Sequence, residues 1–155
     1  MLLCLAIVFS FIENMIPPLP ALPPGVKLGL SNIVTIYCIF FTGTKSALGI
    51  SSLKSVFVLL TRGFSAGILS FFGGILSVIM MSLFKRKNPR YLILSIIGAI
   101  SHNIGQLMVS AILFKTTSVF YYLPVLIISG VVMGSVTATL MKVLIPALKR
   151  ISQKG

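Results

Sequence analysis

The chain has 155 residues, of which 57% are hydrophobic and 9% charged, with a mean hydropathy of +1.11. Soluble domains carry about a quarter charged residues, so this composition excludes one and points to an all-α, polytopic protein of the cell membrane forming a single membrane domain over residues 1–155. Its 13 Lys and Arg against one acidic residue give a net charge of +12. Those cations lie between apolar segments rather than on one solvated face, which argues for the positive-inside rule and against nucleic acid as a partner.

Six apolar segments are predicted: Leu2–Ile16, Leu28–Thr42, Ser46–Leu60, Gly63–Phe84, Tyr91–Phe114 and Val119–Leu148. The first lacks the basic lead of a cytoplasmic N-terminus. A signal peptide is the competing reading, but no positive n-region and no small-residue cleavage site are present; a start upstream of Met1 would explain the missing lead. This segment ends at Glu13, the one acidic residue, which opens the stretch ENMIPPLPALPPGVKLGLSN with five of the eight prolines. Proline restricts such a loop toward extended geometry, and Gly25 and Gly29 allow close backbone approach around Lys27. The loop is expected to act as a lid over an outward pocket or as a plain connector. Glu13 would pair with Lys27 or Arg62, or meet a cationic group of a ligand.

Cys4 and Cys38 fall within apolar segments, where they act as small hydrophobes; no metal site, disulfide or cofactor is expected. On segment three, Lys54 and Arg62 stand eight residues apart and share a face. An intramembrane cation costs about 2.5 to 3.5 kcal/mol on insertion scales and usually pairs or lines a cavity. Arg62 lies near enough to the surface to be an anchor only. One carboxylate cannot pair them all, which leaves an anionic ligand or lipid phosphate as partner. Segments four and six carry small residues at spacings of four, Gly63 and Gly67, then Gly130, Gly134 and Ala138, with Gly73 and Gly74 mid-span. Such faces serve close helix packing within the chain, or docking of a partner.

Segment five centres on SHNIGQ. His102, Asn103 and Gln106 fall on one helical face near the bilayer midplane, where a polar group without a partner costs several kcal/mol. They are read as a ligand-facing patch, with an interhelical hydrogen-bonding lock as the bland alternative. Six crossings put both termini on one side. With KRKNPR and KRISQKG inside, eight cations are cytoplasmic, Lys27, Arg62 and Lys115 lie outside, and Lys54 and Lys142 fall within segments. The Pro-rich loop and the aromatic pair Tyr121–Tyr122 then face outward.

The combination of E-x2-IPPLP, PGVKLGLSN, an isolated Arg after segment three, GAISHNIGQL and YYLP resembles the Gx transporter family, many of whose members are labelled heptaprenyl diphosphate synthase component I. The resemblance spans nearly the whole chain. Its motif positions are Glu13, Pro24, Gly25, Lys27, Gly29, Asn32, Arg62, His102, Asn103, Gln106, Tyr122 and Pro124. That family is similar to the substrate-binding S components of energy-coupling factor transporters. The resemblance therefore implies a six-helix fold, a pocket closed by the first outer loop, and a coupling membrane subunit with ATPases as partner. S components often dock through small residues on the first helix, and this chain offers Ala6 and Ser10 there.

Prenyl chain elongation needs Mg²⁺ held on clustered carboxylates, and a chain with no Asp and one Glu builds no such site. Hydrolysis lacks a second carboxylate, and no Walker-type phosphate loop is present. The expectation is a substrate-binding subunit for a small anionic or polar molecule, its pocket walled by segments three, five and six. Its candidate binding residues are Glu13, Lys27, Asn32, Lys54, Arg62, His102, Asn103, Gln106 and Tyr122. The alternatives are a non-catalytic component of heptaprenyl diphosphate synthesis and a small membrane scaffold.

Overall fold

In lipid a chain segment has to satisfy its own backbone N–H and C=O groups, so long apolar runs have helix as their local solution. The computed structural model describes residues 2–15, 30–85 and 90–152, and among them no strand occurs. The helices are α1 (Leu2–Met15), α2 (Leu30–Phe41), α3 (Thr44–Arg62), α4 (Phe64–Lys85), α5 (Tyr91–Leu113) and α6 (Leu123–Ser152). The stretches Phe64–Lys85, Tyr91–Leu113 and Ser118–Pro146 are long and apolar enough to cross a membrane. This is an all-α membrane protein.

Two expectations of length change. The third segment extends beyond Ser46–Leu60 at both ends, because only Gly43 and Gly63 stop it, at φ 107° and 89°. These left-handed values suit a residue without Cβ, so Gly63 is a turn residue and not part of a packing face. The sixth segment is not one helix from Val119. A 3₁₀ turn over Ser118–Tyr122 comes first, and α6 begins at Leu123 with Pro124 in its first turn, where the missing N–H costs nothing.

Each helix packs on its neighbours around a closed ring: α1 on α3, α3 on α4, α4 on α5, α5 on α6, α6 on α2 and α2 on α1. Beyond its place in the ring, α2 also touches α3, α4 and α5. Seven consecutive residues of α2, Ile33 to Ile39, are buried, which covers every face of a helix with 3.6 residues per turn. With 12 residues, α2 is about 18 Å long and fills one end of the ring only. There it packs with Ala6, Ala47, Val78, Met81, Leu94 and Met141, drawn from all five other helices. Lys85 Nζ donates to the carbonyls of Ile39 and Phe40 at the α2 C-terminus, and Ser82 bonds Thr44 at 3.0 Å. These contacts close that end.

The small residues of α4, α5 and α6 are seams within the molecule. A Cβ on Gly134 would stand 2.6 Å from Ile96 Cα, one on Gly105 2.9 Å from Gly73 Cα, and one on Gly67 2.5 Å from Leu59 Cβ. Lipid is as apolar as leucine, so close packing of this kind, rather than expulsion of water, holds the ring together.

Candidate functional site

Because α2 fills one end of the ring, the other end is hollow. A cavity of about 480 Å³ runs into it, lined by side chains from all six helices and the 3₁₀ turn. Along α5 the lining extends from Ser95 to Ser110, about 22 Å of helix. Met81 and Ile36, at the top of the packed end, form its floor. The expected walls were segments three, five and six. In the structure α4 also contributes, with Ala66, Ser70, Ser77 and Met81 on one face, and α1 and α2 add Ser10, Glu13, Asn32 and Ile36. A ring of six helices has no outside member, which is why the wall is wider than expected.

Of the nine candidate residues, Glu13, Asn32, Lys54, Arg62, His102, Asn103, Gln106 and Tyr122 all line this one cavity. Lys27 and the Pro-rich stretch of residues 16–29 lie outside the described residues. Glu13 and Lys54 are 7% and 6% exposed, and the Glu13 carboxylate acts electrostatically on the Lys54 ammonium. The expectation paired Glu13 with Lys27, which lies outside the described residues, or with Arg62; the packing of α1 on α3 also brings Lys54 to it. Among the described residues the lining thus carries two cations, Lys54 and Arg62, against one carboxylate.

The polar face of α5 divides. Asn103 Nδ2 donates to the Leu126 carbonyl of α6 at 3.0 Å, an interhelical tie. His102 and Gln106 sit where α4 leaves room for them: a Cβ on Gly73 would lie 2.8 Å from Gln106 Cγ and 3.2 Å from His102 Cε1. Gly73 therefore sets the space in which both side chains face the cavity. Ala6 and Ser10, considered above as a docking face, are buried, since α1 turns its small residues toward α2 and α3.

The match to known families covers residues 2–144 and is to heptaprenyl diphosphate synthase component I. The chain belongs to that family. No curated protein and no solved structure matches it.

Sequence reasoning passed over the hydroxyls and thioethers of the cavity: Ser70, Ser77, Ser95, Ser129, Thr137, Met81 and Met133. A signal was present. Ser95, Ala99, His102, Gln106 and Ser110 recur at spacings of three or four along one face of α5, and Ser70 and Ser77 stand seven apart on α4. A stripe of small and polar side chains on an otherwise apolar helix marks the face turned away from lipid.

Proposed function

We propose that this chain is the membrane-embedded, substrate-binding subunit of a transporter for a small anionic molecule, energised by separate proteins, a coupling membrane subunit with ATPases. The observation that carries this reading is the cavity: about 480 Å³, lined by all six helices, with Lys54 and Arg62 against one carboxylate among its described residues. Small-molecule sites span roughly 300 to 1,000 Å³ and use a few convergent polar groups. Lys54 is buried and Arg62 exposed, and the excess of one positive charge among the described lining residues favours an anion. Lys54, Arg62, Asn32, Gln106 and His102 are the proposed binding residues, with Glu13 holding Lys54 in place. The protein is multi-pass, with both termini cytoplasmic, the packed end inside and the cavity facing out. This orientation puts Lys45, Lys85 and Arg90 on the cytoplasmic side.

Mass spectrometry of small molecules retained by the detergent-extracted protein tests it directly. An anion should co-purify with the wild type and be lost from Arg62→Gln. Recovery of no anion from the wild type, or equal recovery from both, would refute the reading.

The family match favours a second reading, a non-catalytic membrane component of heptaprenyl diphosphate synthesis. With no Asp in the chain, the purified protein supplied with Mg²⁺ and prenyl diphosphates should make no longer product by itself. If it stimulates a separate aspartate-bearing synthase, the second reading gains and the transporter reading loses.

A further inference from the structure

The charged layer occupies only part of the cavity. Gly73 and Gly74 touch His102 on one side and Ser51 on the other, so Lys54, one turn beyond Ser51, lies at a level between His102 and Gln106. Below that level the lining is uncharged: Ser77, Met81, Ser95, Gly98, Met133 and Thr137. Most hydroxyls here have acceptors within the protein. Ser77 Oγ donates to the Gly98 carbonyl at 2.8 Å and Thr137 Oγ1 to that of Met133 at 2.8 Å. Ser95 is the exception. It is 2% exposed, and its Oγ has no hydrogen-bond partner among the described residues.

We propose that this deep chamber is a second subsite, in which Ser95 hydrogen-bonds an uncharged polar group at the far end of the bound anion. The inference rests on the anion-binding reading above and deepens it by giving the ligand two ends. Buried hydroxyls in proteins nearly always find a partner; Ser95 is a wall residue of the cavity, and a rotation about its χ1 would turn the closed-off Oγ toward a ligand. Ser95 stands seven to eleven residues below the His102–Gln106 layer on the same helix, about 10 to 16 Å along its axis. The ligand is therefore elongated: an acidic group at Lys54, a spacer, then a neutral donor or acceptor. Met81 and Met133 flank the chamber with polarizable, adaptable thioethers, which suit the apolar part of such a molecule.

Octanoate and ω-hydroxyoctanoate serve as probes, since they share the acid and the spacer and differ in the terminal hydroxyl. The chain has no Trp, but once the exposed Cys4 is replaced by Ser in every protein compared, the fully buried Cys38 is the remaining thiol, so a thiol-reactive dye reports unfolding in detergent and its shift with probe concentration gives affinity. The wild type should bind ω-hydroxyoctanoate about three- to tenfold more tightly than octanoate, the value of one hydrogen bond. Ser95→Ala should bind both equally, at the octanoate affinity of the wild type, with its unliganded midpoint unchanged or raised. Equal affinities in the wild type would overturn the subsite while leaving the anion layer standing. A Ser95→Ala protein weakened equally toward both probes would also overturn it, by showing a structural role. Binding of neither carboxylate would remove the anion layer as well, and the subsite with it.

Discussion

Glu13 and Lys54, on the packed neighbours α1 and α3, are each an ionisable group almost out of contact with solvent. Removing one partner of a buried pair costs about 3 to 5 kcal/mol, since the other charge stays behind, whereas replacing both by apolar groups is often neutral. Lys54→Met should therefore lower stability by about 3 kcal/mol, the lower figure because the pair faces a cavity. The double variant Glu13→Met with Lys54→Met should recover most of that loss yet still fail to bind the anion. Thermal unfolding and ligand retention on both variants check this; a double variant as unstable as the single would deny the coupling. Asn103 and Gln106 make a second contrast. Asn103→Leu breaks the tie to Leu126 and should cost about 0.6 kcal/mol, the average for an interhelical hydrogen bond in a membrane. Gln106→Leu should leave stability nearly unchanged and weaken binding by more than tenfold, because ligand polar groups are left buried and unpaired. The reverse ranking of the two variants would place the ligand elsewhere.

Helix packing explains where side chains can be added. On α6, a larger residue at Gly134 meets the Ile96 backbone, which cannot move aside as a flexible side chain would. Gly134→Leu should force α5 and α6 apart and abolish the cooperative unfolding transition. Gly49 lies on an exposed face of α3 with no atom within 4 Å of a built Cβ. Gly49→Ala should raise stability by up to about 1 kcal/mol, the helix propensity difference. Thermal unfolding in detergent separates the two cases, and similar effects at both positions would deny that Gly134 marks a seam. The element scale is also where sequence reading was strongest. Loop-to-helix boundaries for α4 and α5 were legible because apolar runs end abruptly at Gly63, Lys85 and Arg90. The start of α6 was not, since Val119 to Tyr122 is apolar and aromatic too, and only Pro124 marks the change.

For the whole molecule, the closed and hollow ends of the ring give the orientation a physical test. Lys45, Lys85 and Arg90 stand at the end closed by α2, where Phe40 meets Tyr91 edge-on at 4.7 Å. Tyr121, 86% exposed, stands at the other. In a Cys4→Ser background an impermeant maleimide should label Tyr121→Cys in intact cells, and Arg90→Cys only after permeabilisation. The opposite pattern would turn the cavity toward the cytoplasm and require a ligand taken from inside.

The sequence by itself determined that the chain is helical and membrane-embedded, because apolar runs of this length leave the backbone no other way to satisfy its polar groups. It also determined that His102, Asn103 and Gln106 share a face, since spacing on a helix fixes direction. Only the tertiary structure decided which helix is buried on every face. Nothing in Leu30–Phe41 distinguishes a central helix from a lipid-facing one, because lipid and protein interior are equally apolar and hydropathy carries no sign of burial. The same reason hid the partnership of Glu13 with Lys54, the inward turn of Ala6 and Ser10, and the unpaired hydroxyl of Ser95. Each depends on which helices are neighbours, and that is settled by close packing at Gly67, Gly105 and Gly134 across residues distant in the chain.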